Sequence, residues 1–189
     1  MKRVAILASH NGSGFDALYE AIKKSGLLIE IPLIISNNSG AKIIQNAKNY
    51  RIENFIVNSK TAQNQDEKIE QLLNKYKCDY VFLSGYMKKV SANITKNFKV
   101  INSHPALLPN YGGEGMYGRF VHEAVIKNGE KISGVTIHEV NEHYDEGKII
   151  LQKELLLDKD ESVDSLEDKI KKLERIAIVE SFKHITSLS

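Results

Sequence analysis

Short apolar runs alternate with helix-period segments along most of this chain, and that alternation limits its fold more than any other feature. Val4 to Ala8 is a buried-strand run, and Ala17, Leu18, Ala21 and Ile22 then recur at helical spacing. Ile31 to Ile35 is a second strand-like run, followed by Ile43, Ile44 and Ala47 on a helix. Phe55 to Val57 gives a short third strand, and Gln65 to Tyr76 places Ile69, Leu72 and Leu73 on one helical face. Tyr80 to Leu83 makes a fourth strand, and Val100-Ile101 begins a fifth. Strands that alternate with helices predict a parallel sheet with helices on both faces.

The character changes after Asn102. Glycine and proline cluster from Pro105 to Gly118, and a helix follows over Arg119 to Lys127. Two alternating segments, Gly134 to Val140 and Ile149 to Leu157, predict an antiparallel hairpin at the sheet edge. Ser162 to His184 closes the chain as a long amphipathic helix with Ser162 at its N-cap. The expected fold class is α/β, an open doubly wound, mostly parallel sheet with helices on both faces and a late antiparallel edge hairpin.

Bulk properties exclude several functional classes. A chain of 189 residues predicts one domain, spanning 1–189, with a substantial core. The net charge of +2 leaves no electrostatic footprint for nucleic acid. The lysines from Lys169 to Lys172 lie among Glu167, Asp168 and Glu174 and read as a solvated helix face. One cysteine, Cys78, excludes an intramolecular disulfide and a cysteine-built zinc site, and its place before an apolar run suits a buried thiol. The run Val4 to Ala8 is too short for a signal peptide or membrane span, so no membrane partner and a cytoplasmic location are expected.

Two loops carry chemistry. Between the first strand and first helix lies Ser9-His10-Asn11-Gly12-Ser13-Gly14, where small residues let amides approach an anion at a helix N-terminus. It lacks the Lys-Ser/Thr pair of a Walker loop and the third glycine of a dinucleotide fingerprint, so it suits a phosphate monoester or a plain turn. The second stretch is Asn102-Ser103-His104-Pro105-Ala106-Leu107-Leu108-Pro109, at the carboxyl end of the fifth strand. Its prolines hold His104 and Leu108 extended. Asn102 and His104 are two apart, so both side chains point to one side of a strand end. An amide and an imidazole so placed can donate to an oxyanion while the imidazole moves a proton.

A polar segment, His138-Glu139-Val140-Asn141-Glu142-His143-Tyr144-Asp145-Glu146-Gly147, links the two late strands. It is either an ordinary hairpin loop or the source of a carboxylate, Asp145, that faces His104, orients it and raises its pKa. Asn102, His104, His138, His143 and Asp145 could also gather around a metal. No zinc-binding spacing such as His-Glu-x-x-His is present, so no metal is expected.

The first loop, Asn102-x-His104-Pro-x-Leu-Leu-Pro109 and Tyr144-Asp145-x-Gly147 together resemble the folate-dependent formyltransferases, over nearly the whole length. Within that family the chain is similar to members acting on glycinamide ribonucleotide. The resemblance implies transfer of a formyl group from 10-formyltetrahydrofolate, a co-substrate, to the substrate amine in purine synthesis. It also implies roles: Asn102 and His104 as oxyanion donor and general acid, and Asp145 as the carboxylate partner of the imidazole. Gly12, Ser13 and Gly14 match the phosphate loop, and Glu174 a carboxylate on the ribose or glycinamide side. Met87, Lys88, Lys89 and Val90 match a segment lining the folate site, with Asn102 shared between folate and chemistry.

There are departures from the family pattern. The loop often reads Gly-Ser-Asn there, and here Gly14 takes the third place. The stretch Tyr111 to Gly118 is richer in glycine, and a basic residue near Ala62 is missing. The expected partners are the two small molecules, with the chain a monomer or homodimer. Alternatives are another formyltransferase or a formyltetrahydrofolate hydrolase of the same superfamily, or a nucleotide-sugar-binding module without catalysis.

Overall fold

The computed structural model describes residues 1–187. Its strands are β1 (Lys2–Ala8), β2 (Ile29–Glu30), β3 (Leu33–Ser36), β4 (Glu53–Ile56), β5 (Tyr80–Leu83), β6 (Lys99–His104), β7 (Ile132–Glu139) and β8 (Ile149–Leu156). The helices are α1 (Ser13–Ser25), α2 (Lys42–Asn49), α3 (Gln65–Lys75), α4 (Ala92–Asn97), α5 (Arg119–Lys127) and α6 (Val163–Ser187). The main sheet runs β4-β3-β1-β5-β6-β7-β8, with β2 pairing β1 to one side. Strands β1 to β6 pair in parallel, whereas β7 lies antiparallel to β6 and β8 antiparallel to β7. The expected parallel sheet with an antiparallel edge hairpin is therefore present.

Both faces of the sheet are covered, as β strands made of continuous apolar runs require. One face packs Ile6, Ile34 and Ile101 against Phe15 and Leu18 of α1, Ile43 of α2, Val121 of α5 and Ile178 and Phe182 of α6. The other packs Leu7, Ile35 and Val100 against Ile69 and Leu73 of α3 and Ile94 of α4. We call these the α6 face and the α3 face. Alternation then fixes side-chain direction on β6: Ile101 and Ser103 look to the α6 face, Val100, Asn102 and His104 to the α3 face.

Local chemistry explains where elements differ from expectation. The run Ile31 to Ile35 is shortened to its last three residues, because Pro32 has no N–H to donate and β3 begins at Leu33, while the separate β2 ends at Glu30. The six-residue α4 has too short a period to announce itself. Strand β6 extends to His104, so Asn102 and His104 sit within the strand's last turn of pairing rather than beyond it. Ser162 caps α6 as expected, its Oγ accepting from the Ser165 N–H at 3.1 Å. Among the described residues no helix is long and apolar enough to cross a membrane.

Candidate active site

The carboxyl ends of β1, β5 and β6 lie side by side and bring the two chemistry-bearing loops together. In the first loop, Gly12 has φ 67°, a conformation that suits glycine, and a β-carbon there would run into Ile43. This residue caps α1, whose next two amides, those of Ser13 and Gly14, find no acceptor among the described residues, while Phe15 N–H is taken by Ser84 Oγ at 3.0 Å. Ser9 joins the loop to its neighbours: its hydroxyl donates to Asn37 Oδ1 at 2.6 Å and accepts from the Met87 N–H at 2.8 Å. The segment matched to the folate site is thus tied to the phosphate loop by one hydroxyl.

Four polar side chains converge on the α3 face at β6 and β7. Asn102 stands opposite His138 in the antiparallel register, and Asn102 Nδ2 is 3.2 Å from His138 Nε2. Asp145 reaches both imidazoles, with Oδ2 3.6 Å from His104 Nδ1 and Oδ1 3.5 Å from His138 Nε2. Its Oδ2 also accepts from the Gly113 N–H at 3.0 Å, which ties the glycine-rich loop to the carboxylate. His104 Nε2 donates to the Tyr111 carbonyl at 2.7 Å. The loop after His104 is held by side chains of the hairpin as well as by its prolines. Thr136 Oγ1 donates to Ala106 O and accepts from Leu108 N–H, and Gln152 Nε2 donates to Leu108 O at 2.8 Å.

His104 and His138 are almost wholly buried. For both, burial lowers the pKa by more than the Asp145 carboxylate raises it. The expectation that Asp145 raises the His104 pKa and so holds the ring charged is therefore corrected: burial outweighs the carboxylate and favours the neutral ring. His122 of α5, also buried, is shifted down by the same cause.

Glu174 lies on the opposite side of β6 from Asn102 and His104. Burial raises its carboxyl pKa, opposed by the Ser103 hydroxyl beside it and the Lys171 charge. One turn further along α6, Ile178 packs under Gly14, so Glu174 and the phosphate loop share the α6 face. Met87, Lys88 and Lys89 are exposed, and Lys89 Nζ stands 5.1 Å over the Tyr144 ring of the Asp145 loop. Val90 instead points into the α3-face core, which leaves only its main chain for a ligand. Met87–Lys89 and the Asp145 loop thus adjoin on one face of β6, with the phosphate loop and Glu174 on the other.

In the sequence His138 falls both near the end of the expected strand segment Gly134 to Val140 and at the start of the linking stretch, and is weighed only as a metal ligand; it belongs to β7 and touches Asn102. Strand alternation signals this, because His138 and Thr136 share a face. The main-chain partners Tyr111 and Gly113 left no signal in the sequence. Near Ala62, Lys68 lines the same surface groove one turn into α3. Among the described residues no group of three or more His, Cys, Asp or Glu is placed to hold a metal ion.

The formyl transferase family model matches residues 2–182. The chain is 31% identical over 179 residues to a phosphoribosylglycinamide formyltransferase of Bacillus subtilis, covering 92% of this chain and 89% of that protein. It is 36% identical over 159 residues to the chloroplastic enzyme of that name from Vigna unguiculata, covering 80% of this chain but 50% of the relative, so it spans about half the length of that plant protein. The crystal structure of phosphoribosylglycinamide formyltransferase from Bacillus halodurans superposes with a TM-score of 0.89 at 30% identity, covering 98% of this chain and 96% of that one. A family model that spans nearly the whole chain leaves one conclusion: the chain belongs to the formyl transferase family.

Proposed function

We propose that this chain, as a single formyltransferase domain, moves the formyl group of 10-formyltetrahydrofolate to the amine of glycinamide ribonucleotide. The observation that carries the reading is the convergence of Asn102, His104 and Asp145 at the same sheet edge as a helix N-terminus without a side-chain cap, in a member of this family. The name shared by the Bacillus subtilis and plant relatives supports the substrate. The substrate phosphate rests on Gly12, Ser13 and Gly14, where α1 offers free amides and a favourable dipole. Glu174 reaches the ribose or glycinamide from the same face. The folate lies across Met87, Lys88, Lys89 and the main chain of Val90, with Asn102 at its reactive end. The partners are these two small molecules, and the chain works in the cytoplasm.

In the reaction the substrate amine attacks the formyl carbon, forming the new C–N bond and pushing the carbonyl electrons onto oxygen. Asn102 Nδ2–H donates to that oxyanion. The neutral His104 ring takes a proton from the positively charged nitrogen, becoming an imidazolium beside Asp145. Collapse of the oxyanion breaks the bond to the folate nitrogen, which receives the proton from His104. The formyl group and one proton have then exchanged places, and the enzyme is restored.

The test is purified protein with both substrates, following release of tetrahydrofolate and omitting each substrate in turn. Folate deformylation that requires glycinamide ribonucleotide is expected. Deformylation at the same rate with water alone would favour the hydrolase, and none at all would leave a binding module.

A further inference from the structure

Tyr111 is held in an uncommon way. Its backbone is left-handed, φ 57°, which few residues with a side chain adopt. Its hydroxyl donates to Glu130 Oε1 at 2.6 Å and accepts from Asn128 Nδ2 at 3.0 Å, both just past the C-terminus of α5. The ring also packs on the α6-face core. So fixed, the residue turns its main-chain carbonyl to His104 Nε2 at 2.7 Å. A carbonyl oxygen only accepts, so Nε2 must carry hydrogen whatever the charge of the ring. The other nitrogen, Nδ1, is left facing Asp145 Oδ2 at 3.6 Å, longer than a direct hydrogen bond.

We infer that Tyr111, braced by Glu130 and Asn128, is a positioning residue that fixes the His104 tautomer and makes Nδ1 the nitrogen that exchanges protons with substrate. The inference rests on the reading of His104 as the proton-moving group. A neutral ring with a bare Nδ1 and the Asp145 carboxylate together present two acceptors 3.6 Å apart, close enough to share one N–H. That arrangement suits an N–H of the attacking amine. Loss of the brace frees the Tyr111 carbonyl, lets the ring populate the opposite tautomer, and turns a hydrogen rather than a lone pair toward the amine. The other titratable groups facing His104 are Asp145 from the linking loop, His138 from β7 and His122 from α5, and the brace alters the charge of none of them.

The experiment uses the full chain with 15N-labelled histidine and steady-state kinetics. In the wild type the neutral His104 ring should show hydrogen on Nε2 and a bare Nδ1. Tyr111→Phe and Glu130→Ala should mix the tautomers and cut kcat about 10- to 100-fold, the size of effect expected when partners orienting a functional imidazole are removed. KM for both substrates should stay within about twofold, and Glu130→Gln, which keeps an acceptor oxygen, should restore both readouts. Circular dichroism guards against unfolding, and Glu130→Gln remains informative if the harsher variants fail to fold. A wild-type ring with hydrogen on Nδ1, or unchanged tautomer and kcat in folded Tyr111→Phe and Glu130→Ala, overturns the inference. Full activity in His104→Gln would instead remove His104 from the reaction and overturn the role of Nδ1, whatever the tautomer.

Discussion

A β-carbon added at residue 14 would sit 2.9 Å from Phe82 Cζ and 3.0 Å from Ile178 Cδ1, so any side chain there must displace these tips where the first turn of α1 packs on the sheet and α6. The close packing bears on the position where the family pattern has Asn and this chain has Gly14. Gly14→Ala should cost about 1–3 kcal/mol by overpacking and raise KM for the phosphorylated substrate, as thermal unfolding and steady-state kinetics would reveal; an unchanged melting temperature would sink the packing account. A second residue-scale prediction concerns Asp145. Burial lowers the His104 pKa and the carboxylate opposes it, so Asp145→Asn leaves burial unopposed and the pKa falls further. The acid limb of the kcat/KM profile, where the ring must be neutral, should move to lower pH. Turnover should drop on the order of 100-fold or more, because the imidazolium formed during reaction loses its partner. An unmoved imidazole titration together with unchanged turnover would exclude Asp145 from the chemistry. The direction of the resting pKa was hidden from the sequence, because the residues that bury His104 come from several distant segments.

Among the elements, α6 is the longest, at 25 residues, and its start is fastened from outside the helix. Lys169 Nζ reaches both Asp158, at 2.7 Å, and Glu161, pinning the β8–α6 connection to the second turn of the helix. The lysine, with bonds from Ser165 and the Asp158 N–H, holds the Glu161 carboxyl far below its ordinary 4.5, at about 2. A depressed carboxyl pKa contributes stability that is present above pH 4.5 and lost as pH falls through 2. Glu161→Gln should therefore destabilise the protein at pH 7, and the difference from wild type should shrink as pH falls from 4.5 toward 2. A gap between the two melting temperatures that stays constant across that window would count against the pairing. Elements of this kind were legible where their period was long. Arg119 to Lys127 and Tyr80 to Leu83 coincide with α5 and β5, and α6 begins one residue after its predicted cap. The six residues of α4 and the two-residue β2 were not legible, since neither offers enough positions to define a period.

For the molecule as a whole, the sequence indicates which residues are chemical but not how far apart they lie. Asn102-x-His104 and Asp145 could be read as a unit through family resemblance. Physically they meet because β7 runs antiparallel to β6 in one register, setting His138 against Asn102, and because the Asp145 loop folds back over the α3 face. A shift of that register by one residue would turn His138 to the α6 face and dissolve the cluster. The same architecture predicts a graded response to ligand. Central strands β1, β5 and β6 have buried side chains on both faces and are bonded on both edges, so their amides should open only with global unfolding. The glycine-rich stretch is different: Tyr111 and Gly113 are tied to His104 and Asp145, while Glu114, Gly115, Tyr117 and Gly118 are exposed. Hydrogen exchange without ligand should be slow in the three strands, intermediate at Gly113, and fast from Glu114 to Gly118. Adding glycinamide ribonucleotide with a non-reactive folate analogue should slow the Glu114 to Gly118 stretch and leave the strands unchanged, because closing over the substrates buries backbone that is otherwise solvated. Exchange there that is already slow without ligand and indifferent to both molecules would mean that the loop is part of the fixed scaffold. Glycines 115 and 118 would then serve its turns, at φ 84° and 53°, rather than its motion.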